Sequence, residues 1–171
     1  MQYWDDVLYP AFVNTIRGEY YGVITQEMLD EECFHLAERA IATFKFPKIS
    51  TNYKTFYAMR DSENRLEEVD LEDYPDAIPH GYFINNLTYS EIEILIAWMK
   101  VYWCENQISN ADNFTDMYTD ANIKTYSRAN AVDKNAKLLA QFRSYARQLE
   151  TNYSRTSAER TPTIGDINQD A

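Results

Sequence analysis

A chain of 171 residues that is 45% hydrophobic and 15% aromatic has material for one core of ordinary domain size, which excludes a wholly disordered chain and leaves no room for a second full domain. Four glycines are too few for a barrel or sandwich thick with tight turns, so a mainly α fold is expected. The formal charge of −11 is uneven, with 16 acids against 7 bases in residues 1–80 and 11 against 9 beyond, and such a surface disfavours tight binding to nucleic acid or anionic membranes.

The opening MQYWDDVLYP carries acids and aromatics where a secretory leader has basic and then apolar residues, so synthesis and retention in a cytoplasm are expected. The longest apolar run, Ile94 to Met99, is six residues, far below the roughly 20 that a spanning helix needs. No membrane association is expected. Cys33 and Cys104 each sit in an apolar helical pattern, as free buried cysteines do.

In chain order, Trp4, Val7, Leu8, Phe12, Val13 and Ile16 recur at helical spacing around Pro10, which predicts a short or kinked helix stopped by Gly18. Thr25 is the expected N-cap of a second helix ending near Phe44. Its stripe is Leu29, Cys33, Leu36, Ala40 and Phe44, and the acids Glu27, Asp30, Glu31 and Glu32 crowd its first turns, where the helix dipole favours them. Tyr53 to Met59 alternates, Asp61 to Asn64 supplies turn residues, and Leu66 to Leu71 resumes a weak alternation, so a β-hairpin is predicted within an insertion over 48–82. Asp73 to Gly81, with Pro75 and Pro79, reads as loop.

Thr88 and Glu91 form a capping box that opens a central helix reaching Cys104. Ile92, Leu95, Ile96, Met99 and Trp103 make one core-facing stripe. Ile94, Trp98 and Val101 line the opposite face, and a helix apolar on both sides needs cover on both. The chain's own helices are expected on the first face and a neighbouring subunit on Ile94, Trp98 and Val101. Asn106 to Thr119 reads as a polar connector with one helical turn. A long amphipathic helix follows from about Ser127 to Tyr153, its remaining surface carrying Lys134, Lys137, Arg143 and Arg147, a face suited to DNA or to an acidic partner. Residues 1–154 are thus read as one helical domain, a small bundle with a central apolar helix and a long C-terminal helix. Residues 155–171 read as an extended tail.

Chemistry-bearing motifs are scarce. His35 and His80 have no partner at metal-ligand spacing, the acids Glu67, Glu68, Asp70, Glu72, Asp73 and Asp76 lack the glycine and terminal glutamate of a calcium loop, and no phosphate-cradling or nucleophile motif occurs. Neither enzyme activity, nor a metal, nor a cofactor is expected.

The ordered set of a short N-terminal helix, an acidic helix behind Thr25, NLTYSEIEILIAWMKVYWCENQI with its capping box, and YTDANIKTYSRANAVDKNAKLLAQFRSYARQLETNYSR with Ser127 to Asn130 resembles the head-tail connector, or neck adaptor, proteins of tailed bacteriophages. The likeness spans most of residues 1–155, and Ile49 to His80 departs from it. The resemblance implies a virion protein, made in the host cytoplasm, that forms a homo-oligomeric ring of twelve subunits at the head-tail junction. The ring would join the portal protein to a tail or stopper protein, and DNA would pass through its lumen without specific binding. It further implies a C-terminal segment that docks on the portal, and Thr163, Ile164, Gly165, Asp166 and Ile167 are the stretch of the tail with apolar anchors. A helical assembly chaperone or scaffold, released before the particle matures, is the alternative.

Overall fold

The computed structural model describes residues 1–16, 25–45, 47–61, 65–117 and 125–158, with side chains described outside 110–117, 125–135 and 157–158. The elements are β1 (Gln2–Tyr3), α1 (Trp4–Thr15), α2 (Gln26–Thr43), β2 (Tyr53–Arg60), β3 (Leu66–Glu68), β4 (Ile78–Phe83), α3 (Tyr89–Met117) and α4 (Thr125–Ala158). Helices dominate, and the strands form one antiparallel sheet in the order β1-β4-β2-β3. Through β4 the sheet lies on α1 and α2, α3 packs against α1, α2 and α4, and α4 packs on α3. Among the described residues no helix is long and apolar enough to cross a membrane.

Local signals account for most of these elements. The Thr25 hydroxyl accepts a hydrogen bond from Met28 N at 3.4 Å, and the predicted stripe of α2 is buried at Cys33, Leu36, Ala40 and Phe44. α1 continues through Pro10 to Thr15 and buries Trp4, Leu8, Tyr9 and Phe12. Cys33 and Cys104 are free and buried.

Four expectations are corrected. The region read as loop up to Gly81 holds β4, which the hairpin reading lacked. Pro79 fits there because it faces Tyr57, whose carbonyl accepts from Val69 N on the opposite side; the pair is therefore non-hydrogen-bonded and the missing proline N–H costs no ladder bond. α3 runs on to Met117, so the polar segment after Cys104 is helix and not connector. α4 extends to Ala158 and takes in the first residues assigned to the tail.

The fourth correction concerns the central helix. Ile94, Trp98 and Val101 are 1%, 7% and 0% exposed, in one cluster with Ala37, Ala40 and Ala146, and with Leu149 and Tyr153 packed against it. They belong to the chain's own core and offer no face to a neighbouring subunit. The outward apolar residues of α3 are instead Ile92 and Ile96, half-buried in a shallow groove of about 410 Å³ with Val7, Ala11, Tyr89 and Tyr145. The physical reason is that α2 and α4 both cover the side carrying Ile94, while α1 covers its stripe only in part.

The core centres on Trp4, which is fully buried with its ring 5.5, 5.0 and 5.6 Å from those of Phe34, Tyr53 and Phe83. Gly81 lets this ring lie on the backbone of β4, since a Cβ there would stand 2.6 Å from Trp4 Cε3. Gly81→Ala is expected to lower stability by about 1–3 kcal/mol, because a ring packed on three sides cannot retreat. Urea denaturation followed by Trp fluorescence checks it; an unchanged midpoint would show that the ring has room to move.

Candidate functional site: a basic cleft beside two buried polar clusters

Three polar assemblies stand out from the apolar packing. The first begins at the cap of α3. Glu91 Oε2 accepts from Thr88 N at 2.8 Å and Thr88 Oγ1 accepts from Glu91 N at 3.4 Å, which is the expected capping box, and Thr88 Oγ1 also donates to Oε2 at 2.8 Å. The other Glu91 oxygen accepts from Ile49 N at 3.0 Å and from the Tyr153 hydroxyl, so one fully buried carboxylate ties the α2–β2 connector and α4 to the start of α3. Burial raises the Glu91 pKa, but the hydrogen bonds from Tyr153, Ile49 and Thr88 outweigh it and hold the carboxyl below its ordinary value. Burial, followed by the bond to Glu91, pushes the Tyr153 hydroxyl up to about 12. Sequence reasoning found the cap but not the two tertiary donors.

The second assembly gathers Asp5, Asp30, Arg60 and His80 from α1, α2, β2 and β4. Arg60 Nε and Nη2 donate to Asp30 Oδ2 at 2.9 and 2.6 Å, Nη2 lies 3.7 Å from Asp5, and His80 Nδ1 lies 2.9 Å from Asp5 Oδ1. The ligand atoms of Asp5, Asp30 and His80 fall within 4.8 Å of one another, a grouping that sequence spacing did not reveal. The Arg60 guanidinium already supplies the cation these carboxylates need, and Gln26 Nε2 donates to the second Asp30 oxygen at 2.8 Å. The quartet therefore serves as an internal ion-pair network that fastens the sheet to α1 and α2. Beside it, the buried Tyr9 hydroxyl is raised in pKa by burial and by the nearby Asp5 charge.

The third assembly is open to solvent. A cleft of about 800 Å³ runs between the end of α2, α3 and α4, and Lys45, Arg143, Arg147 and Arg155 contribute to its lining against only two acids, Glu105 and Glu150. Glu105 is shared by Arg143 and by Arg39, the latter at 3.0 Å, and Glu150 accepts from Lys45 N at 3.2 Å. Lys45, Arg147 and Arg155 are exposed and form no ion pair among the described residues. Trp98 forms part of the wall, and its buried indole N–H has no hydrogen-bond partner among the described residues.

Of the residues singled out from sequence, Arg143 and Arg147 therefore meet in one cleft, joined by Lys45 and Arg155, which sequence reasoning passed over. Lys137 is exposed on α4 outside that lining, and the Lys134 side chain lies outside the described residues, as do Thr163, Ile164, Gly165, Asp166 and Ile167. Charge of the opposite sign is concentrated elsewhere. Glu67, Glu68, Asp70, Glu72, Asp73 and Asp76 are all exposed on β3 and the turn after it. Comparison with family models, with curated proteins and with solved structures gives no match to this chain.

Proposed function

We propose that the chain is a structural, non-enzymatic virion protein that assembles into a head-tail connector ring between portal and tail and leaves a central channel for the genome. The observation that carries this reading is the separation of unlike charge on one subunit. The acids lie on β3 and the turn after it, at the edge of the sheet, and the basic cleft lies between the end of α2, α3 and α4. A subunit with two different complementary surfaces associates head to tail, and such heterologous contacts close into a ring where the rotation permits. The resemblance adds the setting. A short first helix, an acidic helix behind Thr25, a capping-box helix and a long last helix follow one another here in the connector order. A net acidic wall also repels phosphate, which suits a channel that DNA traverses without specific binding.

On this reading the tail stretch Thr163 to Ile167 reaches the portal, and the opposite rim of the ring meets a tail or stopper protein. Mass spectrometry of purified particles is the test: a connector is retained at ring stoichiometry. Absence from mature particles, with presence on assembly intermediates, would replace the connector by the chaperone reading.

A further inference from the structure

We infer that the basic cleft between α3 and α4 is the receptor for the acidic turn Asp70–Asp76 of a second copy of this chain, an inference that rests on the ring reading and names its subunit contact. The turn is built as a ready-made plug. Asp70 O accepts from Asp73 N at 3.2 Å and Tyr74 N at 3.0 Å, Asp70 Oδ1 accepts from Glu72 N at 3.0 Å, and Tyr74 O accepts from Ala77 N at 3.0 Å. This hydrogen bonding fixes the backbone before any partner arrives, so docking loses little conformational freedom. Leu71 and Tyr74 project from it, 40% and 49% exposed, among the carboxylates of Asp70, Glu72, Asp73 and Asp76.

The cleft offers the matching set. It holds three exposed cations without ion pairs among the described residues, Lys45, Arg147 and Arg155, and the half-buried ring of Tyr102 lines it beside them. Its volume of about 800 Å³ lies within the usual range for sites that take several side-chain-sized groups. The turn is held away from the cleft of its own subunit: Val69 N donates to Tyr57 O at one end, Ile78 pairs with Ala58 at the other, and no residue of the turn lines the cleft. The contact is thus intermolecular and joins unlike surfaces, so it repeats from copy to copy.

Paired charge reversals test this on the full chain. Lys45→Glu with Arg147→Glu makes the cleft acidic, and Glu72→Arg with Asp73→Arg makes the turn basic; all four side chains are exposed, and far-UV circular dichroism checks that each variant stays folded. In sedimentation velocity the wild-type chain should self-associate, less so as salt rises, and each double variant should associate more than about tenfold more weakly. Mixed in equal amounts, the two variants should assemble again, since each turn then finds a cleft of opposite charge. Wild-type-like assembly of either variant alone, or failure of the mixture to assemble, overturns the docking while leaving a ring built on other contacts. A wild-type chain that stays monomeric also overturns it, whereas the connector reading falls only if the protein is missing from purified particles.

Discussion

Glu91→Ala is expected to lower the stability of the folded chain by about 3–5 kcal/mol, one of the two largest losses expected from a single substitution here. Four donors converge on this carboxylate: Thr88 N, Thr88 Oγ1, Ile49 N and the Tyr153 hydroxyl. Removing it strips the cap from α3, empties a fully buried site and leaves the half-buried Ile49 N–H and Tyr153 O–H without their acceptor. Tyr153→Phe deletes one of these donors and also the acceptor of the exposed Lys48 N, and should cost about 1–2 kcal/mol. The pH dependence gives a second signature. Because the folded pKa of Glu91 lies below its ordinary 4.5, its contribution is present above that value and is lost as pH falls through the folded pKa. The gap between wild type and Glu91→Ala, measured by urea denaturation, should therefore be full at pH 7 and shrink below about pH 4. A gap that is small at pH 7, or that does not shrink in acid, would show that the carboxylate does not tie the three segments together.

Glu91 also shows where sequence reasoning reaches its limit. The capping box is a relation over three residues and was legible, as were the Thr25 cap and the period of α2. Ile49 and Tyr153 are tied to that box only by the fold, so no local pattern signals them. The same holds for Asp5, Asp30, Arg60 and His80, which come together from four elements, and for Lys45 joining Arg147 at the cleft. β4 was hidden for a different reason. Pro79 and Gly81 are breakers by propensity, yet one occupies a non-hydrogen-bonded position and the other makes room for the Trp4 ring, so tertiary context reverses both signals. The second half of α3 was hidden by its polarity, since a helix without an apolar stripe carries no periodic signal.

Ile94→Asp is expected to leave the chain unfolded at 25 °C, whereas Ile96→Asp, two residues along the same helix, leaves it folded. Periodicity showed that α3 is apolar on two faces but could not say which of them this chain covers itself. Ile94 is 1% exposed within the core cluster, while Ile96 is half-buried on the groove beside α1. Losing the Ile94 side chain alone costs about 2–5 kcal/mol in transfer and cavity energy. A carboxylate in its place, away from water, adds several more or forces the group to remain protonated. The sum is comparable to the roughly 5–15 kcal/mol that holds a domain of ordinary size together. At Ile96 the introduced carboxylate reaches solvent along a groove that Lys100 also lines, so the loss should stay near 1–2 kcal/mol. Far-UV circular dichroism and urea denaturation of the two variants decide the matter. A folded, monomeric Ile94→Asp would return Ile94, Trp98 and Val101 to a surface awaiting a partner. Loss of fold at Ile94 alone fixes that side of α3 as core.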